Sequence, residues 1–100
     1  MGRVNHRGWI VLESIPSDDH LLCVDFFEDP IGGFGFEHLR ADPEDGGRWT
    51  AVGGHGTTRY DTPGVAADAA FESIAWLRSH RGARAAFEHW TAALQQGRDR

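Results

Sequence analysis

The sequence has no lysine and a single cysteine, Cys23, and each scarcity removes a class of protein. One thiol closes no internal disulfide, and without a second cysteine there is no Cys-based zinc site, so a disulfide-stapled secreted scaffold is excluded. No apolar run approaches the roughly 18 residues of a membrane span. The first residues, MGRVNHRGWIVLES, also hold no apolar core of a signal peptide. The expectation is a cytoplasmic protein with no membrane association. Ile and Leu are sparse, while four Trp and six Phe supply bulk. A few rings, each burying about 150–250 Å², would carry much of the core.

Charge of one sign prevails. The formal net charge is −5, and all ten basic residues are arginine. Such a chain lacks the basic surface that displaces counterions from DNA or RNA, which argues against sequence-independent nucleic-acid binding. The charge is also uneven. Residues 25–47 carry seven acids (Asp25, Glu28, Asp29, Glu37, Asp42, Glu44, Asp45) against Arg40. Residues 78–100 carry five arginines (Arg78, Arg81, Arg84, Arg98, Arg100) against Glu88 and Asp99. A solvated acidic loop and a basic helix end account for this. So would complementary patches for assembly, or an acidic segment that occupies a partner's basic cleft.

One hundred residues fit a single domain over 1–100, with 1–7 reading as a flexible arm and 97–100 as a frayed tail. Strand-forming stretches at Gly8–Ile15, Leu21–Glu28, Phe34–Arg40 and Arg48–Val52 alternate with turn-forming clusters of Pro, Gly, Asp and Ser. Thr57–Tyr60 reads as a short fifth strand or edge segment. Gly35, inside the third stretch, marks a bulge or a close backbone approach. The period then shifts from 2 to about 3.6. Thr62 caps and Pro63 opens a helix to about His80, with Ala67, Ala70, Phe71, Ile74 and Leu77 on one stripe. A second helix follows from about Ala83 to Gln96, with Phe87, Trp90 and Leu94 as its stripe and Gly97 as its stop. The order predicts an α+β fold: an antiparallel four- to five-stranded meander sheet followed by two C-terminal helices packed on one face.

Parity divides the sheet into two faces. Even positions (Ile10, Leu12, Leu22, Val24, Phe26, Phe34, Phe36, Val52) are nearly all apolar and should lie under the helices. Odd positions mix bulky apolar groups with carboxylates: Trp9, Val11, Asp25, Phe27, Glu37 and Trp49 among them. A solvated antiparallel face normally alternates to polar residues, so this second face either is folded over by the chain itself or docks a partner. Those six residues are the expected partner-binding site.

No catalytic, cofactor or metal signature emerges. The six histidines stand in no H-E-x-x-H or H-x₃₋₅-H arrangement. Glu37 and His38 are strand neighbours that point to opposite faces. Gly53-Gly54-His55-Gly56 and Gly32-Gly33-Phe34-Gly35 lack the helix that should follow a phosphate loop, and read as turns. Asp25 facing Glu37 could form an acid/base pair, and a small enzyme would draw on them with His38 and His55. Arg78, His80, Arg81 and Arg84 at the corner between the helices would instead suit an anion, phosphate or nucleic-acid backbone. The leading reading is a non-enzymatic accessory protein acting by protein–protein contact, with another protein or as a homodimer, and with no cofactor or metal.

Overall fold

A computed structural model describes residues 3–4, 8–42, 44, 46, 48–80, 82–85 and 88. The four expected strands are present as an antiparallel meander in sequence order. A two-residue strand β1 (Arg3–Val4), within the segment read as an arm, pairs onto its first edge. The meander consists of β2 (Ile10–Pro16), β3 (Leu22–Glu28), β4 (Phe34–Asp42) and β5 (Arg48–Val52). The β3–β4 turn forms because Asp29 Oδ1 accepts from the Ile31 backbone N–H at 3.0 Å while Gly32 and Gly33 take φ of 117° and 91°. Side chains other than glycine rarely adopt that region.

Of the two readings of Thr57–Tyr60, a short fifth strand or an edge segment, the structure shows the second. His55–Thr57 form a 3₁₀ turn, and only Tyr60 makes a bridge, to Phe34. Glycines 53 and 54 turn the chain off β5 at φ of 81° and 67°. This lifts the segment over the side of β4 instead of along it.

The expected helix from Pro63 to His80 is two pieces, α1 (Pro63–Ser73) and α2 (Ala75–Ser79). Thr62 Oγ1 accepts from Val65 N at 3.1 Å and caps α1 as its sequence predicts. The break falls at Ile74, which is extended at φ −117° and ψ 103°. Arg78 Nη1 donates to the carbonyl oxygens of Phe71 and Glu72 (2.8 and 2.6 Å), which belong to the last turn of α1. Despite the break, the whole predicted stripe of Ala67, Ala70, Phe71, Ile74 and Leu77 is buried. Ala83, Arg84, Ala85 and Glu88 are also helical. The rest of the expected second helix, with Phe87, Trp90 and Leu94, lies outside the described residues, as does Gly97.

The helices cover the even face. Val24, Phe26 and Phe36 pack with the α1–α2 stripe and Ala83. Ile15 joins them although its parity is odd. A bulge between Val11 and Glu13 shifts the β2–β3 register by one residue, so Ile15 comes to lie opposite Val24. The fold is therefore α+β, an open antiparallel sheet with C-terminal helical segments on one face. No helix among the described residues is long and apolar enough to cross a membrane.

Candidate functional site

Of the two expectations for the odd face, cover by the chain itself or by a partner, the structure shows the first over most of it. Val11, Asp25 and Phe27 are buried, and Glu37 is 4 % exposed. Trp9 is partly buried and stacks on Phe27, with ring centroids 4.2 Å apart and planes 13° from parallel. The Gly53–Tyr60 segment supplies part of the cover. Gly56 approaches so closely that a Cβ there would lie 2.7 Å from Glu37 Oε2 and 3.5 Å from Trp9 Cη2. Arg59 reaches across with its guanidinium carbon 4.6 Å from the Trp9 ring centroid and 4.8 Å from that of Phe27. Its Nε is 2.9 Å from Asp29 Oδ2, and its Nη1 donates to the carbonyls of Gly56 and Thr58. Of the six residues assigned to a partner, this leaves Trp49 as the one open group, at 48 % exposure.

Trp49 sits on β5, where the first four of five residues are exposed and the last is half-buried. Alternate residues expose both sides of a strand, so neither face of β5 is covered as those of β3 are. On the odd face Trp49 lies opposite Ala41 in the ladder. Ala41 N donates in turn to Leu21 O at 2.9 Å, and Leu21 is also exposed. Leu21, Ala41 and Trp49 thus form an apolar row across the end of the sheet.

The direction of the backbone groups follows from the same ladder. Ala41 directs its N–H toward the β3 side, whereas Phe34 directs its own away from β3, to Tyr60. In an antiparallel pair the bonded residues alternate, and the registers of β3–β4 and β4–β5 run without a shift. The even residues of β4 therefore bond to β5. Arg48, Thr50 and Val52 answer them, and the N–H and C=O of Trp49 and Ala51 point outward from the sheet. Among the described residues no strand lies beyond β5.

The enzyme-like constellation is divided by the sheet. Asp25 and Glu37 do face each other in the ladder, on the odd side, where Ser14 Oγ donates to Asp25 Oδ1 at 2.6 Å and Cys23 Sγ lies 3.5 Å from the same oxygen. His38 belongs to the helix side, accepting from Trp76 Nε1 at 3.0 Å. His55 stacks on Phe36 of that side at 5.0 Å. Burial, and after it the neighbouring His55, hold the His38 imidazole below its ordinary value. Among the described residues no three His, Cys, Asp or Glu gather to hold a metal ion.

The arginine corner is a concavity of about 270 Å³ lined by Phe71, Glu72, Arg78, His80 and Arg84. Arg84 lies over the Phe71 ring at 4.4 Å. His80 Nδ1 accepts from Gly82 N, and its Nε2 is 3.6 Å from Asp18. Arg81 is outside the described residues.

Sequence reasoning missed Arg59, Leu21 and the outward-facing edge at Ala51. A lone cation between a glycine-rich turn and a helix cap was a signal for Arg59. The edge had none, because it depends on which strand ends the sheet. No protein-family model, curated protein or solved structure matches the chain.

Proposed function

We propose that the chain is a non-enzymatic module that works by protein–protein contact, made by adding a strand at the outer edge of β5. One observation carries this reading: β5 ends the described sheet with the N–H and C=O of Trp49 and Ala51 directed outward, and Trp49 is exposed beside them. Open edges of this kind template pairing with another chain, main-chain bonds giving affinity and alternate side chains giving specificity.

A photo-crosslinking residue at position 49 tests it. Expressed in the native host, it should give discrete adducts that a crosslinker at Asp68, exposed on α1, does not. Equal, diffuse labelling from both positions would count against an edge contact.

A second reading, a small-anion site, is supported by the concavity at Arg78, His80 and Arg84. Against it, Arg78 Nη1 is already committed to two carbonyl oxygens and Arg84 to the Phe71 ring. Inorganic phosphate should raise the melting temperature of the parent but not of Arg84→Glu; an equal rise in both would dismiss it.

A further inference from the structure

We infer that the strand added at β5 is β5 of a second copy of this chain, an inference that rests on the strand addition proposed above. The sequence Arg48-Trp49-Thr50-Ala51-Val52 is complementary to itself in antiparallel alignment about Thr50. In that register Trp49 faces Ala51 of the second copy and Ala51 faces its Trp49. These are the residues whose N–H and C=O point off the edge, so each Trp49–Ala51 pair exchanges both of its hydrogen bonds. Shifting the register by one residue would set inward-bonded groups against outward ones and lose the ladder.

The side chains agree with the backbone. Each large indole meets a methyl group, so both fit side by side on the odd face. The two Thr50 residues meet at the two-fold axis as a non-hydrogen-bonded pair, where side chains come closest, and Thr–Thr is a favourable cross-strand pair. Arg48 lies between Asp42 of its own β4 and Val52 of the second copy, so no like charges become neighbours. The two Arg40 side chains, in register with Thr50, end up three strand spacings apart. That is roughly 14 Å, beyond the ~10 Å screening length of 0.1 M salt. Beyond Arg48 at its start, β5 carries no proline, charge or bulge, the devices with which edges are normally kept apart. The two sheets become one, and the contact is isologous and closed.

A five-residue contact belongs below about 1,200 Å² of buried surface, the weak and reversible end of specific interfaces. Sedimentation velocity on the full chain, from about 10 μM to 1 mM, should show a monomer passing to a dimer and nothing larger. Over the same range the Trp49 and Ala51 amides should gain protection from hydrogen exchange, while Thr50, bonded to Arg40, stays protected throughout. Ala51→Pro removes an outward N–H that the chain's own ladder does not use. It should keep the far-UV spectrum and abolish dimerisation. Thr50→Glu, which sets two carboxylates together at the axis, should do the same if the proline disturbs the fold. A parent that stays monomeric at about 1 mM overturns the inference, as does a folded Ala51→Pro or Thr50→Glu chain that still dimerises. A monomeric parent whose position-49 crosslinks vanish in Ala51→Pro would retain the edge contact and reject the second copy as its occupant.

Discussion

Trp76 on α2 donates its indole Nε1–H to Nε2 of His38 on β4 at 3.0 Å, joining the helices to the sheet across 38 positions of sequence. Nε2 must therefore hold its lone pair and the ring proton must sit on Nδ1. Protonating Nε2 would set one donor against another. Burial, with His55 adding to it, already keeps His38 below the ordinary value of 6.5. As the pH falls through about 6.5 the unfolded chain takes up this proton before the native state does, so stability drops with acidification. Melting temperatures between about pH 7.5 and 5 should fall more for the parent than for His38→Gln, which keeps an acceptor but does not titrate. Parallel curves would show that His38 is not the group responsible.

Arg78 is the clamp at the helix break. Its Nη1 holds the Phe71 and Glu72 carbonyls at 2.8 and 2.6 Å. Arg78→Ala leaves those oxygens to water and should cost about 1 kcal/mol, modest because the site is open to solvent. The urea midpoint should move down with an unchanged slope, since the surface exposed on unfolding stays the same. No loss of stability would mean that solvent satisfies the carbonyls as well as the guanidinium does.

The strands and the helix stripe were legible because they are local patterns. The nearly continuous apolar run from Leu21 to Glu28 reports a strand buried on both faces, and the 3.6-residue spacing from Ala67 to Leu77 reports one buried helix face. The Asp25–Glu37 pairing was legible too, because the Asp29–Gly33 turn fixes its register. What was not legible depends on events at single residues. The bulge after Val11 changes the face of Ile15 without any glycine or proline to mark it. Ile74 breaks a helix that its apolar spacing continues. The odd face looked too apolar for solvent, which was correct. Whether the chain or a partner covered it turned on Arg59 and Gly56, whose contacts with Trp9, Phe27 and Glu37 span 19 to 50 residues and leave no periodic trace.

Arg59 holds that cover in place through three kinds of contact: the Asp29 carboxylate, the carbonyls of Gly56 and Thr58, and the rings of Trp9 and Phe27. Lysine can supply the charge but neither the planar fork nor the flat stack. Arg59→Lys should therefore resemble Arg59→Ala more than the parent, each lowering the melting temperature by about 5 °C. Trp9 emission should shift to the red as its ring gains water. The Ile31 N–H, and after it Arg59, hold the Asp29 carboxyl below its usual range. Both variants should therefore bring that titration back toward the ordinary value, as carboxyl chemical shifts would record. A lysine variant with the parent's melting temperature would reduce Arg59 to a point charge.

Gly35 is opposite Phe27 in the β3–β4 ladder, and the ring lies across it. A Cβ at position 35 would stand 2.6 Å from Phe27 Cζ and 3.0 Å from the carbonyl oxygen of Thr58. The register continues there without a bulge, so glycine serves the close approach alone. Phe27 is 1 % exposed and stacked under Trp9, so its ring has nowhere to retreat. Gly35→Ala should cost about 1–3 kcal/mol, the usual range for overpacking a filled interior. Phe27→Leu alone should also destabilise, by leaving space under Trp9. If the clash with the ring is what makes alanine costly, the double variant will lose less than the sum of the two single changes, by at least about 1 kcal/mol in urea denaturation. Additive losses would trace the cost instead to the Thr58 carbonyl, and so to the backbone of the segment that closes this face.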